Sequence, residues 1–217
     1  MLLALLRIGL GHDADAIGFA EQWTAGDAPQ VDQALQRIDG HRLVIEAVDG
    51  AGLNLALARL HRAGLLGELE TGVVVHRAVP YLSQLGLPAD PAAQLALART
   101  GRSRLAGVIR DDSGGVCISG ARLSPWVAEH DWWVRAVVDD QPLCDGLVRS
   151  ITVRHAGPSE VVAEVRLGRL RRRTRTGRSL QLACDPAQIV ADGIPRERPR
   201  GRRTFWAEPK LWRLVMP

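Results

Sequence analysis

Apolar residues recur with two different spacings along this chain. Up to about residue 101, compact apolar runs that suit buried strands alternate with segments whose apolar residues recur every three to four positions, as in helices. The predicted strands are 2–10, 41–48 and a third around 72–75, and the predicted helices are 13–23, 31–38, 52–66 and 90–101. Strands that alternate with helices predict a parallel sheet with helices on its faces.

The spacing changes after Gly101. Short alternating runs follow one another, divided by Gly, Pro, Asp and Ser, and 125–133 is the one segment left with helical spacing. Such runs are typical of antiparallel sandwiches. The sequence therefore predicts an α/β domain at 1–112 and a mostly antiparallel β-sandwich domain at 113–217.

Composition limits the class of this protein and its expected cellular location. No apolar run in the 217 residues approaches the roughly 20 that a membrane span needs. The first residues, MLLALLRIGLGHDADA, lack a charged leader and a cleavage site, so we interpret them as the first strand. Three widely separated cysteines argue against a structural zinc site and a disulfide framework, and we expect a cytoplasmic location.

Positive charge is concentrated near the end of the chain. Residues 166–217 hold 14 basic and 4 acidic residues, whereas the chain as a whole has a net charge of +4. This asymmetry predicts an anionic partner such as phosphate, nucleic acid or an acidic lipid surface. Nucleic acid is disfavoured because aromatic residues are not interleaved with the arginines of 169–178. The alternative is compositional bias, since Lys210 is the only lysine and arginine replaces lysine throughout.

One segment has the order of a phosphate-binding corner. The run HRLVIEAV leads into Asp49 and Gly50, Gly52 follows, and then a helix-like run begins. Backbone N–H groups at a helix start are the usual donors to phosphate. Asp49 is a candidate site acid, and the alternative is that it caps the helix.

Five stretches in order carry a resemblance to a known family. They are 47–54 (AVDGAGLN), 81–88 (YLSQLGLP), 114–120 (GGVCISG), 192–194 (DGI) and 214–217 (LVMP). This order resembles the diacylglycerol kinase catalytic-domain family of bacterial lipid kinases, which is related to NAD kinases. The resemblance covers 41–125 and, more loosely, 178–217. It implies the NAD kinase/diacylglycerol kinase-like fold, with an α/β domain followed by a β-sandwich.

The resemblance also implies candidate site residues. Asp192, in place of the family's DGE acid, would be the general base for a lipid hydroxyl, with Mg²⁺ and ATP as cofactors. The nucleotide-binding candidates are Asp49, Gly50, Gly52, Asn54, His76 and Arg77. No metal ligand is assigned. The alternatives are that Asp192 begins an Asp-Gly turn and that His76 and Arg77 are ordinary residues at a strand end.

The chain departs from the family where the chemistry lies. The first two glycines of the family's GGDGT loop are Ala47 and Val48, and its GTGND loop falls on 76–80, where Pro80 has no N–H to offer. The glutamate of DGE is Ile194. The N-terminal phosphate loop has no counterpart.

Two function classes remain open from the sequence. One is an ATP-dependent lipid kinase of lipid metabolism whose transfer is weak or lost, in effect a pseudoenzyme. The other is a non-catalytic binding or oligomerisation protein on the same scaffold. The expected partners are a nucleotide, a lipid or anionic membrane surface with peripheral attachment, and a second copy of the chain.

Overall fold

The computed structural model describes residues 2–10, 18–38, 42–127, 132–196 and 200–217, without the side chain of residue 200. The chain divides into two compact units. The first comprises the chain up to Ala106 together with Lys210–Pro217, and the second comprises Gly107–Pro209. This division lies near the predicted boundary between 112 and 113. It differs from the prediction in that the C-terminal segment belongs to the first unit.

The elements of the first unit are β1 (Leu3–Ile8), β2 (Glu21–Ala25), α1 (Ala28–Leu35), β3 (Arg42–Ala47), α2 (Gly50–Arg62), β4 (Thr71–Val75), α3 (Pro80–Gln84) and α4 (Pro91–Thr100). The second unit is built from β5 (Arg102–Asp111), β6 (Val116–Cys117), β7 (Gly120–Pro125), β8 (Trp132–Val138), β9 (Gln141–Val148), β10 (Ser150–Gly157), β11 (Glu160–Arg166), β12 (Arg172–Gly177), β13 (Ser179–Ala191), β14 (Ile194–Pro195) and β15 (Arg200–Met216). The start of β5, residues 102–106, and the last part of β15, residues 210–216, belong to the first unit. Over the described ranges, no helix has both the length and the apolarity to cross a membrane.

A parallel sheet forms the first unit, in the order β2-β1-β3-β4-β15. Its central strand β3 is buried at five of its six positions, and α2 and α4 both pack against it. The end of β15 joins the sheet through the pairing of Leu214 with Thr71. Trp212, fully buried, donates its indole N–H to the Thr71 hydroxyl, which in turn donates to the Arg213 carbonyl at 3.0 Å. These contacts place the C-terminal segment in the first unit.

Helix α4 packs on one face of this sheet at a glycine. A Cβ on Gly72 would lie 2.4 Å from the Cβ of Ala98, so only glycine allows the helix so close to β4. The other end of α4 is fixed by Gln94, which is 3% exposed. Its side chain accepts from the Val75 N–H at 2.7 Å and donates to the Pro88 carbonyl at 2.7 Å. Both contacts hold α4 in register with β4.

Arg42 ties the sheet to the C-terminal end of α4. The buried guanidinium donates from Nη1 to the carbonyls of Ala98 and Arg99, at 3.1 and 3.2 Å. Its Nε and Nη2 donate to the Glu70 carboxylate at 3.0 and 2.8 Å. A cation at this position complements the negative end of the helix dipole. A buried charge with this many partners avoids most of the desolvation penalty of an unpaired one.

A long bent strand, β13, organises the second unit. Its first half pairs with β8 and β15, its second half pairs with β7, and its register shifts between Ala183 and Ala187. Pro186 lies in this interval, where no ladder N–H is needed. A strand that passes from one layer to the other through such a bend makes the corner of a sandwich. The strands β7 to β14 pair with one another antiparallel, and no helix occurs in the described part of this unit.

The fold class predicted from the sequence is confirmed, but one helix is wrong. Of the predicted helix 13–23, residues 13–17 lie outside the described residues, and Glu21–Ala25 forms the edge strand β2, with Trp23 paired to Leu6. Pairing with β1 outweighs the local helical spacing. The segment 125–133 ends in the first residues of β8, and 128–131 also lie outside the described residues.

The close approach at Gly72 predicts a steric effect. We expect Gly72→Ala to lower the free energy of unfolding by about 1–3 kcal/mol, because the new methyl group overpacks the contact with Ala98. Gly168→Ala is the matched control, since nothing lies within 4 Å of a Cβ built there. Urea unfolding of both variants measures the difference, and equal stabilities would contradict the packing at Gly72.

The carboxylate of Glu70 predicts a pH dependence. Its pKa is lowered by the hydrogen bond from the Ser103 hydroxyl and then by the bonds from Arg42. The unfolded chain therefore binds a proton at higher pH than the folded chain does. The stabilisation is complete above the unfolded pKa of about 4.3 and is lost as the pH falls through the lower folded value.

Unfolding of the wild type and of Glu70→Gln between about pH 6 and pH 3 tests this. We expect the gap in stability between the two proteins to close as the pH falls. Glu68→Gln, which alters an exposed neighbour, is the control. A gap that is independent of pH would contradict the role of the ionised carboxylate.

Candidate functional site

The predicted loops meet at the carboxyl ends of β3 and β4. The His76 N–H donates to the Ala47 carbonyl at 3.2 Å, and the Arg77 N–H donates to the Val48 carbonyl at 2.9 Å. The loops at 47–54 and 76–80 thus lie side by side, as the sequence predicts. In open α/β sheets, this edge is where ligands bind. We call the part of the first unit formed by residues 46–54 and 76–80, with Arg7 beside them, the corner.

Asp49 is the N-cap residue of α2. Its Oδ1 accepts from the N–H groups of Ala51 and Gly52 at 3.0 and 3.1 Å. The same arrangement begins two other helices, where Asp27 accepts from Gln30 and Asp90 accepts from Ala93. An aspartate at a helix N-cap satisfies amides that the helix leaves open and complements its dipole. The geometry of Asp49 is therefore that of a cap, and its carboxylate takes the amides that a phosphate would need.

The glycines of the corner serve packing between helix and sheet. A Cβ on Gly52 would lie 3.2 Å from Ile8 Cγ2 and 3.3 Å from Ala47 Cβ, tighter than almost all real contacts. The absence of a side chain thus lets α2 lie close to β1 and β3. At Gly50, a Cβ would meet Val79 Cγ2 at 3.5 Å, so the Val79 side chain lies over the first turn of α2.

Asn54 lies inside α2 and not at its open end. The residue is 1% exposed, so its side chain offers no surface to a ligand in this arrangement. Sequence spacing alone placed it beside the glycines, and the helix turns it toward the interior.

The basic side chains of the corner lie beside acids. Glu46 accepts from Arg7 Nε at 2.9 Å and lies 3.0 Å from His76 Nε2. Arg77, with 75% of its side chain exposed, has Nη1 3.8 Å from Asp49 Oδ2. Glu46 and Arg7 were not among the predicted site residues. The signal was present, because each is a charged residue in a mostly apolar, buried strand.

Asp192 lies in the second unit, at the turn between β13 and β14. Its φ is +47°, and it precedes Gly193 in the predicted Asp-Gly turn. Its carboxylate accepts three backbone N–H groups, from Ile118 and Ser119 at 2.7 Å each and from Gly120 at 3.1 Å. These bonds hold the 118–120 backbone and occupy most of the carboxylate's acceptor positions. The role of Asp192 as a general base stays a prediction.

Two aspartates of the second unit, Asp111 and Asp139, accept backbone hydrogen bonds at turns. Burial acts to raise the pKa of Asp111, but hydrogen bonds from Ser113 and Gly115 outweigh it and lower the pKa overall. Hydrogen bonds from the backbone N–H groups of Arg178 and Ser179 lower the pKa of Asp139. Across the described ranges, no three His, Cys, Asp or Glu side chains come together as a set that could hold a metal ion.

No family model matches the sequence, and no curated protein matches it. Solved structures do resemble the fold. A diacylglycerol kinase from Bacillus anthracis str. Sterne matches with a TM-score of 0.75 at 9% identity, over 100% of this chain and 97% of that one. An NAD kinase from Archaeoglobus fulgidus in complex with ATP matches with a TM-score of 0.67 at 13% identity, over 99% and 93%. A yeast NADH kinase complexed with NADH gives 0.52 at 12%, over 92% and 66%. The chain therefore has the fold of diacylglycerol kinases and NAD kinases.

Proposed function

We propose that this protein is a lipid-kinase-fold protein in which ATP-dependent phosphorylation of a lipid hydroxyl is weak or lost. The observation that carries the proposal is the Asp49 carboxylate at the start of α2, bound to the N–H groups of Ala51 and Gly52. The fold supports descent from a nucleotide-using scaffold, since one similar structure is an NAD kinase in complex with ATP.

Phosphoryl transfer depends on positioning and on neutralising charge. A phosphate at the start of α2 would have to displace Asp49 from two amides and would meet a like charge. The Val79 side chain lies over the same turn, and Pro80 after it has no N–H to donate. The corner therefore does not fit a triphosphate as it is built.

The cations of the corner do not compensate for this loss. Arg7 and His76 are both within 3.0 Å of Glu46, so this carboxylate already binds the side-chain groups that a phosphate would use. Arg77 is the most exposed of the three, and its nearest acid is Asp49 itself. A ligand phosphate would have to break these pairs before it gained charge-assisted hydrogen bonds of its own.

Residual activity would use the residues that the resemblance implies. ATP and Mg²⁺ would be the cofactors, and Asp192 would take the proton of the lipid hydroxyl. Its three backbone hydrogen bonds leave little capacity for that proton. This is a second reason to expect weak or absent transfer.

A non-catalytic binding or oligomerisation protein is the second candidate. It is favoured because the packing of α2 is intact while its phosphate-binding groups are not available. Gly52 and the Asp49 cap keep α2 on the sheet, and the backbone N–H groups that could bind phosphate are bonded to Asp49. A cytoplasmic location, with or without attachment to a membrane surface, stays a prediction for either candidate.

A transfer assay tests the proposal. With radiolabelled ATP, Mg²⁺ and diacylglycerol in mixed micelles, we expect no phosphorylated lipid above a blank without protein. Robust transfer that Asp192→Asn abolishes, in a variant with an unchanged melting temperature, would contradict the proposal. A competent diacylglycerol kinase assayed in parallel shows that the assay detects transfer.

The role of Asp49 as a cap makes a separate prediction for stability. We expect Asp49→Ala to lower the free energy of unfolding by about 1 kcal/mol, because two amides of α2 lose their acceptor. Asp49→Asn, which keeps an acceptor oxygen, should cost only a few tenths of that. Asp90→Ala at the start of α4 is the matched control and should cost about as much as Asp49→Ala.

Chemical unfolding of the three variants measures these costs. A stability gain in Asp49→Ala would identify Asp49 as a strained site acid, because active-site charges are often held at the expense of stability. That result would contradict the cap.

A further inference from the structure

A basic hairpin projects from the second unit. Residues 166–178 join the end of β11 to β12 and contain seven arginines and no acidic residue. Strand β12 is the last strand of its sheet and pairs with β11 alone. We call residues 166–178 the basic hairpin.

Six of the seven arginines of this hairpin are exposed, and Arg166 at the end of β11 is half-buried. Every residue of β12 from Arg172 to Thr176 is exposed, on both faces of the strand. Among the residues that the structure describes, Arg172 lies 3.6 Å from the Glu164 carboxylate, and Arg178 lies near the Asp139 carboxylate. Arg175 donates to the Pro142 carbonyl at 2.8 Å, which leaves its charge unneutralised. The hairpin is thus a concentrated positive charge facing solvent.

An apolar side chain lies at the tip of this charge. Leu170 is 93% exposed, between Arg169 and Arg171, in the turn before β12. Of the large apolar side chains that the structure leaves exposed, it is the most accessible; the next are Leu2 at 59% and Leu147 at 57%. Moving an exposed leucine side chain out of water lowers the free energy of the system.

We propose that the basic hairpin docks onto an anionic lipid bilayer, with Leu170 inserted at the headgroup level and the arginines around it bound to lipid phosphates. A basic segment with an apolar tip suits this surface, because lipid supplies both negative charge and an apolar layer beneath it. A nucleic acid supplies the charge alone and favours aromatic platforms, which this hairpin lacks.

Protection of a sheet edge explains the hairpin less well. Natural edge strands use one or a few charges to prevent edge-to-edge pairing. That need accounts for charges on β12 but not for an uncovered leucine in the turn before it. Docking accounts for both. It goes beyond the proposed function, since it requires neither nucleotide nor phosphoryl transfer.

Sedimentation with vesicles tests the docking. The full chain is mixed with vesicles of neutral phosphatidylcholine alone, or with about a third phosphatidylglycerol. We expect binding to the anionic vesicles only, and we expect it to fall as salt is raised to about 1 M, where the Debye length is about 3 Å. Each arginine near such a surface contributes about fivefold in affinity, so Arg171→Ser/Arg173→Ser should weaken binding by at least about tenfold.

Matched controls separate this surface from general charge. Arg37→Ser/Arg104→Ser removes the same charge from exposed positions of the first unit and should leave binding within about twofold. Leu170→Ser should weaken binding by about threefold or more, whereas Leu2→Ser, at a well-exposed leucine of the first unit, should not. Melting temperatures confirm that each variant is folded.

Three results would overturn the proposal. They are no binding to anionic vesicles, equal loss in the two double variants, and binding to a single-stranded oligonucleotide that is tighter than to vesicles at the same salt. None of them depends on phosphoryl transfer, so the docking and the proposed function fail separately.

Discussion

The position of α2 against the sheet determines what the corner can be. Two features set it: Gly52 lets the helix approach Ile8 and Ala47 to contact distance, and Asp49 closes its first amides. Both follow from local chemistry, since a missing Cβ permits close packing and a carboxylate satisfies a helix start. Because α2 lies this close to the sheet and Asp49 caps it, the backbone of the corner resembles that of a phosphate site. The Asp49 carboxylate, however, already binds the N–H groups that a phosphate would use.

The other charges of the corner follow the same principle. Glu46 joins Arg7 to His76, and Asp49 lies near Arg77, so each of these basic side chains lies beside an acid. A site that binds phosphate needs cations whose partners are supplied by the ligand. Here the partners are acidic side chains of the protein itself, Glu46 and Asp49. The pairs that Glu46 makes with Arg7 and His76 join strand β1, strand β3 and the end of β4. The corner is better built to hold the sheet edge together than to hold a triphosphate.

How much of this could be predicted from sequence depends on the range of the interactions. The Asp90 and Asp49 caps and the Asp192 turn are local, and their spacing is visible in the chain. The meeting of 47–54 with 76–80 follows from parallel strands, whose carboxyl ends share one edge. By contrast, β2 at Glu21–Ala25 is made by pairing with β1, which no local spacing reveals. The pair of Arg7 with Glu46 and the burial of Asn54 also require the folded sheet.

The most direct test of the filled corner is to observe its amides while nucleotide is added. In ¹H–¹⁵N spectra of labelled protein, ATP with Mg²⁺ at millimolar concentration is titrated, and the resonances of Ala51, Gly52 and Arg77 are followed. The account predicts that Ala51 and Gly52 keep their shifts, because Asp49 already accepts their hydrogen bonds. Saturable shifts of these two amides, with an apparent Kd below about 1 mM, would show that ATP displaces the carboxylate and would contradict it.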